Sequence, residues 1–504
     1  MEVTVSCSVF SATLIGVQAS LVAVEVDLVR RLPKTTVVGL PANAVRESTE
    51  RVRSAIVSSG FDYPKLRVTI NLAPADVRKE GTGFDLPIAV GILAASAQIL
   101  EVPMNCLFLG ELSLSGSLRP VPGALALAML ARERGLSKVL VPVGCGAQAA
   151  VVPGVTAYEA ADLEQVCLYL NGKLQLQSAR PVPSVRTVSA PDMDEVRGQE
   201  VARRAMEIAA AGGHNLLMIG PPGVGKTMLA ARLPGILPEM SFGEALEATR
   251  VHSVAGLLAR GESLLRQRPF RAPHHSITAA GMVGNAKLRP GEVSLAHMGV
   301  LFLDEVPEFS RQVLELLRSP LESHEVTLSR AVGSVRLPAD LMLVAAANPC
   351  PCGYFGHPTR PCRCTETDRR RYQGRLSGPL LDRIDLHVQV ESLEADELYS
   401  TQMRESSVEI RARVELARDR QRRRNPGGPQ SNARLSGPRI RKLAKIEPAA
   451  SALLREAVDS LPLSGRAHDR VLKVSQTIAD LDASPKIRLV HLAEALAFRQ
   501  RAQV

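Results

Sequence analysis

Apolar positions in the first third of the chain recur in two rhythms. "VTVSCSVF" and "LVAVEVDLV" alternate apolar with polar residues, the period-two pattern of a strand with one covered face, and "LRVTINLAP" repeats it. Between the second and third of these, "AVRESTERVRSAIVSSG" sets Val45, Val52, Ile56 and Val57 on one helical face and stops at Gly60. "DLPIAVGILAASAQIL" is apolar on nearly all sides and predicts a buried helix. Residues 1–170 therefore form an α/β or α+β domain. Residues 171–190, "NGKLQLQSARPVPSVRTVSA", are polar, carry two prolines and lose all periodicity, as a linker does. From about 195 the pattern becomes helix, strand, glycine-rich turn, helix, which predicts a core built on a parallel sheet over 191–395. Residues 396–504 are helical throughout, broken by "NPGGPQSNARLSGPR". The fold class is α/β multidomain, with no internal repeat.

The chemistry starts in the second domain. "NLLMIGPPGVGKTMLAARL" runs an apolar strand into Gly220-Pro221-Pro222-Gly223-Val224-Gly225-Lys226-Thr227 and then a helix. This is G-x-x-x-x-G-K-T in the context that phosphate binding needs. Glycines let backbone N–H groups curl round phosphate oxygens, and the helix N-terminus adds partial positive charge. Lys226 is expected to reach the β- and γ-phosphates of ATP and Thr227 to ligate Mg2+. "GVLFLDEVPEF" is its partner: a buried strand ending in Asp304, for the Mg2+ shell, and Glu305, for polarising the attacking water. The 78 residues from Lys226 to Asp304 imply an insertion, which contains the cationic "RPFRAPHHSITAAGMVGNAKLRPGE". Adjacent His274 and His275 make a poor metal site, so an exposed loop or hairpin is expected there.

At 504 residues the chain needs more than one core, and with 3% aromatics and no tryptophan those cores are aliphatic. A net charge of +10, with Arg369–Arg371 and Arg422–Arg424 in clusters, favours a polyanionic partner, although each cluster alone also suits a solvated helix face. There is no run of eighteen apolar residues for a membrane span and no secretory pattern in "MEVTVSCSVF", so a cytoplasmic protein is expected. Thiols stay reduced there. Four of the eight cysteines crowd into "NPCPCGYFGHPTRPCRC": Cys350, Cys352, Cys362 and Cys364. Four such thiolates suit one structural, tetrahedral Zn2+, with His357 able to replace a ligand. The competing reading is a proline-rich loop with reduced cysteines.

Taken together these motifs resemble the magnesium-chelatase-like AAA+ ATPases of the YifB/ComM family. The likeness extends through "GLPANAVRESTERVRSAIVSSGFDYPKLRVTINLAPADVRKEGTGFDLPIAVGILAA", "RPFRAPHH", "PGEVSLAHMGVLFLDEVPEF", "RLSGPLLDRIDLHV" and "RAHDRVLKVSQTIADL". Departures are "GN" at 284–285, "VPVGCGAQAA" near 141 and Gln476, none of them in the nucleotide motifs. The resemblance implies an AAA+ core over 191–395 and a C-terminal helical lid over 396–504. It implies that Asn348 is a sensor orienting the water, that Arg383 is an arginine finger reaching a neighbouring subunit's nucleotide, and that Arg466 is a lid sensor acting in cis. The alternative for Arg383 is an intrachain ion pair with Asp382 or Asp385. "VRGQE" at 196–200 resembles the lining of an adenine pocket. A finger in trans implies a homo-hexamer. Residues 1–170 resemble the S5-like fold of Lon protease domains, but Gly83 stands where Lon has its serine, and the lysine segment carries Arg119. That implies a non-proteolytic assembly or DNA-handling domain. The family further implies an ATP-driven helicase on single-stranded or branched DNA, migrating branches in recombination and natural transformation beside other recombination proteins. A chelatase motor subunit and a protein-remodelling chaperone are the alternatives.

Overall fold

A computed structural model of the chain describes residues 5–182, 191–259, 262–285, 287–330, 333–357, 359–393, 397, 404–460 and 464–500. Residues 183–190 of the expected linker and the expected boundary at 395/396 lie outside them. The chain forms two compact units: Met1–Arg186 with Ala245–Leu265 and Lys287–Pro290, and Thr187–Glu244 with Arg266–Ala286 and Gly291–Val504.

The first unit is built on β1 (Val5–Ile15), β2 (Gln18–Val29), β3 (Lys34–Val38), β4 (Arg67–Ala73), β5 (Cys106–Phe108), β6 (Glu111–Leu112), β7 (Leu118–Arg119), β8 (Lys138–Pro142) and β9 (Thr156–Ala160). Among the described residues, seven of these make one mixed sheet in the order β3-β4-β2-β1-β5-β8-β9. β1 and β2 pair antiparallel from Ile15↔Gln18 outward, and Gly16 at φ 62° makes the tight turn between them. The alternation of β2 buries Val22, Val24, Val26 and Leu28. Helix Asp85–Ala95 covers them and is buried on almost every side, as its composition predicts. Gly91 permits the close approach: a Cβ there would lie 2.7 Å from Val26 Cγ2. Helix Asn43–Ser58 buries Val45, Val52, Ala55 and Ile56, but Val57 is 58% exposed. One residue past Ile56 is a 100° turn off the covered face.

The sequence pattern predicts one core over 191–395. In the structure Ala245–Leu265 and Lys287–Pro290 go with the first unit; for the former the reason is Leu246, buried in a cluster with Leu107, Leu125 and Val139.

The second unit holds β10 (Leu216–Ile219), β11 (Phe270–Arg271), β12 (Val300–Leu303), β13 (Glu325–Arg330), β14 (Gly333–Pro338), β15 (Met342–Ala347) and β16 (Leu386–Gln389). Among the described residues, five form a sheet in the order β11-β12-β15-β10-β16, every pairing parallel. β12 and β15 are buried at every position, as strands covered by helices on both faces must be. Ile410, Val414 and Ala417 of helix Ser407–Arg424, and Val471, Leu472 and Ile478 of helix Gly465–Leu481, share one apolar cluster with Leu216, Met218 and Val344. The C-terminal helices thus share their core with the sheet, and the described part of 396–504 belongs to the same unit.

Candidate nucleotide site

In an open parallel sheet, ligands meet the carboxyl ends of the strands. The ends of β10, β12 and β15 carry the residues that the sequence singled out. β10 runs into Gly220–Gly225, where Gly223 (φ 82°) and Gly225 (φ 91°) adopt backbone conformations that favour glycine. Helix Lys226–Ile236 follows at once. The Lys226 Nζ donates to the carbonyls of Gly220 (2.6 Å) and Pro221 (2.8 Å) and to Asn348 Oδ1 (3.1 Å). Burial lowers its pKa to about 8, against the opposing pull of Asp304 and Glu305. Thr227 donates its hydroxyl to Asp304 Oδ2 at 2.5 Å. Lys226, Thr227, Asp304 and Asn348 therefore meet, although they are far apart in sequence.

Glu305 sits beside them at φ 49°, a left-handed conformation unusual for a non-glycine residue, with its N–H on Asp304 Oδ1 (2.9 Å). Its carboxylate is half-exposed and lies 3.8 Å from His275 Nδ1. His275 lies tilted against His274 (centroids 4.0 Å apart) and meets Phe309 edge to face. The sequence signalled this neighbour of Glu305 only as a histidine pair in the insert.

The arginines lie elsewhere. Arg383 is buried; it donates to the carbonyls of Arg318 (3.0 Å) and Pro379 (2.5 Å) and pairs with Glu322 at 2.6 Å. Arg466, largely exposed, pairs with the same Glu322 carboxylate at 3.1 Å. Arg383 is thus in an intrachain pair, but with neither of the aspartates weighed from the sequence. Asp382 pairs with Arg499 (3.4 Å), and Asp385 lies against His214 Nδ1 (3.2 Å) and Arg470 (3.5 Å). Burial alone would raise the Asp385 carboxyl; its bond to His214 and the nearby cations hold it well below the usual range. Sequence reasoning missed this buried His214–Asp385 pair, because its partners come from three separate segments. In "VRGQE", Gln199 donates to the Glu391 carbonyl at 2.6 Å, and Gly198 borders a charged cavity of about 500 Å3 with Arg203, Arg204 and Arg413.

The cysteines leave the end of β15 two residues after Asn348. The sulfurs of Cys350, Cys352, Cys362 and Cys364 all lie within 4.8 Å of one another, with 350–352, 350–362 and 352–362 separations of 3.4, 3.7 and 3.6 Å. These are far beyond a disulfide bond and close to the roughly 3.8 Å edge of a tetrahedron with 2.3 Å metal–sulfur bonds. Backbone N–H groups of Arg363 and Tyr354 pull the Cys352 thiol down to about 6. His357 is not the fourth ligand. Its Nδ1 accepts the N–H groups of Thr359 (3.2 Å) and Arg360 (3.1 Å), and its Nε2 lies 3.3 Å from Ser392 Oγ.

In the first unit, a Cβ on Gly83 would lie 2.6 Å from Leu109 Cδ1, so a side chain there requires the Leu109 side chain to shift. Arg119 pairs with Glu111 across β6 and β7 at 3.6 Å.

The domain described as magnesium chelatase, subunit ChlI, matches residues 192–398; its C-terminal domain matches 404–499, and the domain described as subunit ChlI of Mg-chelatase matches 24–144. The chain is 45% identical over 492 residues to the uncharacterized protein YifB of Escherichia coli, covering 96% of this chain and 95% of that one. It is 44% identical over 499 residues to competence protein ComM of Haemophilus influenzae, covering 97% of each. A partial likeness, 27% over 282 residues, links it to Lon protease 2 of Bacillus subtilis, over 48% of this chain and 50% of that one. With near-complete coverage by both relatives, and with the motif residues gathered at the carboxyl ends of neighbouring strands, the chain belongs to the YifB/ComM family of magnesium-chelatase-like proteins.

Proposed function

We propose that the protein is an ATP-driven AAA+ motor that works on DNA as a homo-hexameric ring, a helicase that migrates branches in recombination intermediates. The observation that carries the ATPase reading is the meeting of Lys226, Thr227, Asp304 and Asn348 at the ends of three parallel strands. The glycine-rich loop and Lys226 bind and orient the phosphates. The hydroxyl and carboxylate oxygens of Thr227 and Asp304 are the hard donors that Mg2+ takes, and the ion supplies charge neutralisation at the phosphates. Glu305 accepts a proton from water that Asn348 positions. Arg383 is assigned to a neighbouring subunit's nucleotide, and Arg466, which pairs with the same Glu322 carboxylate, keeps the role of a lid sensor acting in cis. One Zn2+ on Cys350, Cys352, Cys362 and Cys364 is part of this reading.

The motor's work on DNA rests on the likeness to a competence protein and on the net charge of +10. The first unit is a non-proteolytic, S5-like module for assembly or DNA handling; glycine at 83 and arginine at 119, where a Ser-Lys dyad would stand, support this. ATP turnover measured with branched DNA, single strands, duplex or casein tests the reading. Branched or single-stranded DNA is expected to stimulate most. Stimulation by casein alone would favour a protein-remodelling role, and no turnover under any condition would remove the motor.

A further inference from the structure

The cysteine knot is joined to the phosphate loop as well as to the sensor strand. Cys350 is buried and follows Asn348 by two residues, and Asn348 holds Lys226. The chain then turns back on itself through Gly353 N–H to Cys350 O (2.9 Å), at φ 84°. Gly353 packs directly on the phosphate loop: a Cβ there would lie 2.6 Å from Pro222 Cδ and 3.1 Å from its Cγ. The next residues, Phe355 to His357, face Gly220 and Pro221 across a cavity of about 790 Å3 at the strand ends, and His357 reaches Ser392 beyond β16. Arg369 lies over the Phe355 ring at 4.3 Å.

Resting on the ATPase reading, we infer that Zn2+ bound by Cys350, Cys352, Cys362 and Cys364 is a brace for the phosphate loop, so that metal occupancy sets nucleotide affinity. Four thiolates this close repel one another, and four thiols bond only weakly. A metal ion turns the crowding into four strong bonds and fixes the Cys350–Gly353 turn. That turn seats Gly353 on Pro222. The loop's backbone N–H groups can cradle phosphate only in a defined curve, so a released knot lets the loop relax. Losing about one charge-assisted hydrogen bond this way weakens nucleotide binding roughly tenfold or more.

The experiment uses the full-length protein. Zinc is counted by elemental analysis, and affinity for a fluorescent ADP analogue is measured before stripping with a chelator, after stripping, and after adding Zn2+ back. The inference expects about one zinc per chain, weaker binding on stripping, and recovery on re-addition. Circular dichroism separates a released knot from a lost fold. The Cys352→Ser/Cys362→Ser variant should match the stripped protein; if it does not fold, stripping and re-addition still decide. Pro222→Ala removes the ring under Gly353 and should keep its zinc, yet its affinity should respond little to stripping. A protein without zinc, or a stripped protein with unchanged affinity, overturns the inference. A zinc response in Pro222→Ala as large as in wild type overturns the Pro222 route. Wild-type protein that carries zinc but binds no nucleotide in any state instead refutes the ATPase reading, and the brace with it.

Discussion

Raising the pH should release nucleotide by discharging Lys226. Burial lowers this ammonium to about 8, while Asp304 and Glu305 pull it back up. Phosphate needs the charged form, and bound phosphate restores the charge, so binding above pH 8 takes up a proton. The apparent dissociation constant then rises as one plus ten to the power (pH minus 8). From pH 7.5 to 9 the affinity should fall about eightfold, with uptake of about 0.9 proton at pH 9. Calorimetry with ADP in buffers of different ionisation enthalpy reads both quantities. Folding moves the other way. A lysine with a depressed native pKa disfavours the fold while it is charged, so the nucleotide-free protein gains stability between about 8 and the ordinary 10.5. Weaker binding with an unchanged or higher melting temperature is therefore the signature, and it differs from alkaline unfolding. Lys226→Arg stays charged throughout and should show no such slope. A flat wild-type affinity with no proton uptake would refute the argument.

Other outcomes follow from the same geometry. Glu305→Gln and Arg383→Ala should each bind ATP and turn it over at roughly a thousandth of the wild-type rate or less, and mixing the two should restore part of the activity in steady-state assays. Glu322→Ala should leave ATP affinity intact but lower turnover, because Arg383 and Arg466 lose their shared partner. Gly83→Ser should not create a peptidase; crowding against Leu109 should lower stability by about 1–3 kcal/mol in thermal melts. DNA affinity should fall steeply between low and physiological salt in filter-binding titrations, because phosphate contacts release counterions.

The phosphate loop, the Asp304 strand and the buried helix Asp85–Ala95 were legible because each is a local pattern: glycines at fixed spacing, or an apolar run ended by a charge. The cysteine cluster was legible for the same reason. Val57 was not, because a helical period fitted to few positions leaves the edge of a face undefined. Nor was the placement of Ala245–Leu265 with the first unit, since Leu246 is buried in a cluster with Leu107, Leu125 and Val139, all more than a hundred positions earlier. The partners of Arg383 were misjudged on proximity in sequence. Asp382 and Asp385 flank it, but Asp385 serves His214 and Arg470, and the carboxylate that reaches Arg383 is Glu322, which precedes β13.

Position within the sheet also decides whose nucleotide Arg383 can serve. Asn215, just before β10, accepts the N–H of Asp385 with its carbonyl and donates its side-chain amide to the Arg383 carbonyl at 2.8 Å. The same side chain accepts the N–H of Leu343 in β15 at 2.8 Å. Arg383 is thereby anchored at the N-terminal end of β10, whereas the phosphate loop leaves its C-terminal end. Four strand residues at about 3.3 Å each separate those ends by roughly 13 Å. An arginine side chain is shorter than that, and this one is drawn to Glu322, Arg318 and Pro379 instead. Arg383 therefore has no path to the phosphates bound by its own Lys226. If it contacts a nucleotide, the nucleotide belongs to another copy of the chain. Each chain would then hold two incomplete halves of a site, which is why mixed inactive variants should recover activity that neither has alone.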